Sequence, residues 1–176
     1  MAKYTDKKAG KYVMKMLAGL NSEDNPALMN IWSDNFDRWF ACDGYRAYRL
    51  NRKPADVVEV PLRGRKDYDE IHVKIETMFN EEYIENVVEV PYVMADIVAA
   101  SKDKTDCVID LGDDYPAVNA KYLRDALELL PDGKLYCQDN LRRMVSPVYV
   151  KSDNGIALIL PVRRENKFRW TKRRGA

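Results

Sequence analysis

The residues able to do covalent or metal chemistry are few. Asp106, Asp110, Asp113 and Asp114 crowd into the stretch DCVIDLGDD. Carboxylates at a strand end can hold Mg²⁺ for phosphoryl transfer. The same run reads equally as a polar turn centred on Gly112-Asp113-Asp114. The single histidine, His72, stands in a charged segment with no cysteine or serine pattern beside it. A surface or strand-edge imidazole is therefore expected rather than a general base. Cys42, Cys107 and Cys137 are odd in number, far apart and without a CxxC pair. That argues for reduced, buried or half-buried thiols and against a zinc site or a disulfide framework. There is no P-loop and no GxGxxG, and Gly10 and Gly19 have no partners at phosphate-cradling spacing. The expectation is a protein that is not an enzyme and has no cofactor or metal, with a Mg-dependent nuclease as the minor alternative.

Sequence-independent attraction to phosphate is the other chemistry on offer. Lys and Arg total 29 against 28 Asp and Glu, a net charge of +1, so only local clustering can carry it. Lys8, Lys11 and Lys15 fall at i, i+3 and i+7 and share one helical face, with Lys7 at its edge. Lys121 and Arg124 share a second face, diluted by Glu128. Either set fits a phosphate-facing surface, and either fits an ordinary solvated face opposite a core stripe. From Arg163 onward the chain carries seven basic residues and one acidic residue, with Phe168 and Trp170 interleaved among Lys167, Arg169, Lys172, Arg173 and Arg174. Aromatics among cations suit single-stranded nucleic acid; a solubilising tail whose aromatics pack on the parent domain is the other reading.

Three segments are predicted to hold these groups as helices. Tyr12, Val13, Met16, Leu17 and Leu20 form an apolar stripe over 7–20. After the extended run 87–90, Pro91 opens a helix to about Ala100, with Val93, Met94, Ile97 and Val98 as apolar positions. Asn119 N-caps a third helix to Leu130, lined by Leu123, Ala126 and Leu127 and stopped by Pro131-Asp132-Gly133. Strand patterns cover 28–33, 38–41, 45–50, 56–62, 107–111, 134–138, 145–151 and 156–162, with Asp153-Asn154-Gly155 as a hairpin turn. The stretch 67–79 fits either a strand and turn or a short helix. A unit of strand, helix and several antiparallel strands recurs about three times. It predicts an α+β fold with helices packed on one face of antiparallel β-sheets. No apolar run approaches the roughly 20 residues that span a bilayer, and the N-terminus lacks the apolar core of a signal peptide. A cytoplasmic protein without membrane contact is expected.

Two stretches resemble the bacterial sliding clamp, the DNA polymerase III β subunit family. In 118–164, Asn119, Tyr122, Leu123, Asp125, Ala126 and Leu127 match a clamp helix "N-x-x-Y-L-x-D-A-L". Ser146-Pro147-Val148 and then Leu160-Pro161-Val162-Arg163 match the strands that close a clamp. In 41–50, Asp43, Gly44 and Arg46 match "A-T-D-G-x-R-L", with Cys42 in place of the usual threonine. Residues 87–100 resemble the "V-x-V-P" entry to a clamp helix.

The resemblance implies a DNA-clamp-like fold in a shortened, divergent relative. Its parts would be a clamp-like unit over 1–62, a charged connecting segment over 63–86, clamp-like half-domains over 87–164 and a basic aromatic tail over 165–176. It implies a non-catalytic scaffold, a processivity or recruitment factor in DNA replication or repair, with double-stranded DNA as partner. Lys8, Lys11, Lys15, Lys121 and Arg124 would face the duplex, with Arg169, Trp170, Lys172, Arg173 and Arg174 adding contacts from the tail. Arg46 either grips a phosphate or braces its turn. Leu158, Leu160, Pro161 and Val162 either line a pocket for short linear motifs of polymerase or repair proteins, or are alternating core positions. The tail either binds DNA or covers that pocket. Three helices cannot surround a duplex alone, so a homo-oligomer assembled head to tail is expected. The alternative is a clamp-fold binding module that does not encircle DNA.

Overall fold

Thr5 starts the first helix, its side chain accepting from the Lys8 amide at 3.2 Å. The computed structural model describes residues 3–20, 26–57, 66–103, 107–140 and 143–162. Helix α1 (Asp6–Leu17) leads to β1 (Trp32–Ser33), β2 (Trp39–Cys42) and β3 (Arg46–Leu50). Then come α2 (Lys66–Thr77), α3 (Glu81–Glu85), β4 (Val87–Glu89), α4 (Met94–Ala100), β5 (Val108–Asp110) and β6 (Ala117–Asn119). Helix α5 (Ala120–Leu129) precedes β7 (Lys134–Gln138), β8 (Val148–Ser152) and β9 (Gly155–Ile159). Asn119 caps α5 as expected, accepting from the Lys121 and Tyr122 amides at 3.0 and 3.2 Å.

Seven strands form one antiparallel sheet in the order β1-β2-β3-β9-β8-β7-β4, and β5-β6 is a separate antiparallel pair. The chain leaving β9 joins that second pair, through a bridge from Pro161 to Val118 and the Val162 amide on the Ala117 carbonyl. The registers contain a two-fold repeat. Hairpin β2-β3 pairs Trp39 with Leu50, and hairpin β8-β9 pairs Val148 with Ile159 in the same offset. The two hairpins meet through β3 and β9, where Arg46 opposes Ile159 and Leu50 opposes Gly155. Both hairpins follow a helix, α1 or α5.

Alternation along the strands feeds two cores. Ala41, Tyr48, Leu50, Val148, Val150, Ala157 and Ile159 pack with Val13 and Met16 of α1, Ile97 of α4 and Leu123 and Ala126 of α5. Phe40, Ala47, Tyr149, Ile156 and Leu158 point the other way and pack with Ile75 of α2, Phe79 of the following turn and Ile84 of α3. The expectation of helices on one face is corrected here: the sheet residues are apolar at consecutive positions, so both faces need cover, and α2 and α3 supply the second.

Other departures follow from local chemistry. The ambiguous 67–79 region is helical to Thr77, with Ile71, His72 and Ile75 inward, and Phe79 is buried in the turn that follows. Pro91 does not open α4, which starts at Met94. Within 28–33 only Trp32 and Ser33 are strand, and Val145 lies in a short 3-10 turn, so β8 starts at Val148 after Pro147. Of the predicted strand 56–62, residues 58–62 lie outside the described residues. No described helix is long and apolar enough to cross a membrane.

Candidate nucleic-acid interface

Helix α5 packs against both α1 and α4. Polar side chains fasten it to α1: Lys15 Nζ lies 2.6 Å from Asp125 Oδ1, and the Tyr12 hydroxyl donates to Glu128. On the α4 side, Arg124 reaches the Ser101 hydroxyl at 3.4 Å. The two helices carrying the predicted cations are therefore neighbours.

Those cations are not equally available. Lys11 and Lys121 are exposed, Lys8 is half-buried, and none of the three makes an ion pair with a described residue. Lys15 keeps 57% of its side chain exposed but is engaged by Asp125. Arg124 is held by Glu128 at 2.7 Å, an i,i+4 pair within α5. Burial alone would raise the Glu128 carboxyl, but hydrogen bonds from Tyr12 and Arg124, with the charges of Arg124 and Lys8, hold it below its ordinary value. The α1-α5 surface thus mixes uncommitted lysines with cations already matched by carboxylates. A separate open depression on α1 is lined by Thr5, Lys7, Lys8, Gly10, Lys11, Met14 and Asp56, and by no residue of α5.

Arg46 does not reach the surface. It is 5% exposed, with Nε 2.9 Å from Asp43 and Nη1 2.9 Å from Asp125, and Nη1 also meets the Tyr48 hydroxyl at 3.3 Å. Its guanidinium lies 4.4 Å from the centre of the Tyr122 ring. Burial opposes its charge, yet Tyr48, Asp125 and Asp43 together hold its pKa above the ordinary range. Of the two roles open to Arg46, a phosphate grip is excluded by this enclosure; it braces the turn and ties that turn to α5. Four residues that carry the resemblance to clamps, Asp43, Arg46, Tyr122 and Asp125, thus meet in one network. Sequence inspection matches them in two separate stretches and gives no sign that they touch.

The predicted pocket is also rearranged. Leu158 is 2% exposed in the core shared with Tyr149 and Ile156 and cannot line an open groove. Leu160, Pro161 and Val162 are half-buried, and their backbone is engaged by Tyr45, Val118 and Ala117. The tail residues Arg169, Trp170, Lys172, Arg173 and Arg174 lie outside the described residues.

His72 is not at a surface or strand edge. It is buried on α2, its Nε2 2.9 Å from the Ala27 carbonyl and its ring stacked 4.1 Å from Trp32. Asp110, Asp113 and Asp114 are exposed and Asp106 is outside the described residues. No group of three or more potential metal-ligating side chains forms among the described residues. Cys42 and Cys137 are buried and Cys107 is half-buried; burial pushes the Cys42 thiol up to about 11.

No protein-family profile matches the chain, and no curated protein matches it. Among solved structures it is similar to a crystal structure from Eubacterium rectale ATCC 33656 described as a "Putative DNA polymerase III beta subunit". The TM-score is 0.51 at 16% identity, over 93% of this chain and 67% of that one. The fold is clamp-like. At that identity the likeness concerns backbone arrangement alone.

Proposed function

We propose that this chain is a non-catalytic, DNA-associated scaffold that holds duplex DNA by phosphate contacts alone, as a processivity or recruitment factor. One observation carries the reading: in a clamp-like fold, the lysine-bearing α1 lies directly beside α5, so Lys8, Lys11, Lys15 and Lys121 belong to neighbouring helices. Phosphate contacts are interchangeable along a duplex and permit movement, whereas base contacts would pin the protein. The described site offers uncommitted lysines and no rigid base-reading fork, because Arg46 is enclosed and Arg124 is paired.

The partners in this reading are double-stranded DNA and further copies of the chain, with polymerase or repair proteins engaged near Leu160, Pro161 and Val162. The basic tail, Arg169, Trp170 and Lys172 to Arg174, would strengthen DNA contact. Work in the cytoplasm and head-to-tail ring closure belong to the same proposal.

Duplex binding across a salt series tests it. Binding should weaken linearly in log–log form with salt. Replacing Lys8, Lys11 and Lys121 by Gln should flatten the slope by about one for each phosphate that a lysine no longer neutralises. Absence of duplex binding at about 50 mM salt refutes the reading. Retention on circular but not linear DNA separates encirclement from simple binding, because a closed ring slides off free ends.

The pairing of Lys15 with Asp125 and of Arg124 with Glu128 favours a second reading, a clamp-fold module that touches DNA without encircling it. Light scattering that finds a monomer at high concentration supports that version over the ring.

A further inference from the structure

The turn between β2 and β3 presents an aromatic side chain that the fold does not use. Tyr45 is 65% exposed, while its backbone is fully engaged. Asp43 Oδ1 accepts from the Tyr45 and Arg46 amides, each at 2.9 Å, and the Tyr45 carbonyl accepts from the Leu160 amide at 2.9 Å. Gly44, at φ +85°, supplies the left-handed step that such a turn requires. A large ring is thus held outward on a rigid support.

Its neighbour is Tyr122 in the first turn of α5, with ring centres 6.4 Å apart and planes tilted by 33°. The Arg46 guanidinium is 4.4 Å from the Tyr122 ring centre. The charges around this pair are matched, since Arg46 meets Asp43 and Asp125, and Asp125 also holds Lys15. Next to Tyr122 in sequence, Lys121 is exposed and has no ion pair with a described residue. Through Arg46 and Asp125 the aromatic pair is joined to Lys15 of α1.

The geometry points to Tyr45, supported by Tyr122, as a stacking platform for an unpaired nucleobase of single-stranded DNA. This rests on the proposed DNA association and extends it to a strand form that phosphate contacts alone do not select. A planar base needs a rigid, solvent-exposed ring, and stacking of this kind tolerates any base. A tyrosine loses little conformational freedom on binding because it has two side-chain torsions.

The test uses the full chain, a labelled short oligo-dT and a blunt duplex, read by fluorescence anisotropy. Tyr45→Ala should weaken oligo-dT binding about five- to a hundredfold and leave duplex affinity unchanged. Tyr45→Phe, which keeps the ring, should restore oligo-dT binding to within about twofold. Because Tyr45 is exposed, both variants should keep the wild-type circular dichroism and melting temperature. If the wild-type chain binds duplex but not oligo-dT, or if Tyr45→Ala leaves oligo-dT affinity unchanged, the platform is refuted and the proposed function stands. Failure to bind either DNA removes the proposed function and this inference together. Binding of a proline-rich peptide at Tyr45, with no oligo-dT binding, overturns the choice of partner.

Discussion

Replacing Arg46 by Met should be among the most damaging single changes in the chain. Arg46 is 5% exposed and meets Asp43 and Asp125, whose side chains are 9% and 7% exposed. Methionine fills much of the same volume but leaves two carboxylates enclosed with one counter-charge, Lys15, on the outer side of Asp125. Removing one partner from a buried pair typically costs about 3–5 kcal/mol, mostly for stranding the remaining charge. For a domain of this size, that lowers the melting temperature by roughly 6–20 °C. Urea or thermal denaturation followed by circular dichroism reads it directly. The double variant Arg46→Met with Asp125→Asn supplies the control, since removing the stranded charge should recover about 1 kcal/mol or more of the loss. A single-variant cost below about 1 kcal/mol, or strict additivity in the cycle, would refute a buried network linking the turn to α5.

Gly10→Ala should destabilise, although alanine usually improves a helix interior by about 1 kcal/mol. A Cβ on Gly10 would stand 1.8 Å from the Ala55 carbonyl oxygen, so a lowered melting temperature is expected and a raised one would contradict this packing. Stability should also fall in acid. Burial favours protonation of Glu128 and Asp34, but their hydrogen bonds, from Tyr12 and Arg124 and from Arg38 and Phe36, hold both below their ordinary values of 4.5 and 3.8. Their contribution is complete above those values and is lost as pH falls through the lower folded-state values. Urea midpoints should therefore drop below about pH 4.5, and Glu128→Gln should shrink that drop. If α5 faces DNA, Glu128→Gln should also free Arg124 and tighten duplex binding by about two- to tenfold, with a steeper salt slope. Unchanged affinity and slope in the salt series would place α5 away from the duplex.

Much of the scaffold is legible in the sequence because it depends on near neighbours. Thr5 and Asn119 cap their helices through amides two or three residues away. The amphipathic stripes of α1 and α5 each follow a single period, and the 153–155 turn joins β8 to β9 as its residue types require. Helix α2 is harder to read because its inward residues include His72, whose burial needs the Ala27 carbonyl and Trp32, which are remote in sequence. A helix followed by antiparallel strands does occur three times, as α1 before β1-β3, α4 before β5-β6 and α5 before β7-β9. That two of the hairpins share one offset and pair with each other is visible only in the cross-strand register.

The candidate site divides in the same way. Sequence by itself determined which residues are cationic and that Lys8, Lys11 and Lys15 share a helical face. Only tertiary structure decided which charges meet. Arg46 is withdrawn from the surface because Asp125 of α5 joins Asp43 of its own turn in enclosing it. Lys15 is engaged because α1 packs on α5 and meets Asp125, whereas Arg124 meets Glu128 one turn along its own helix. The physical reason is that helical periodicity and capping are fixed by local spacing along the chain. The availability of a charge depends on partners that folding brings from far away.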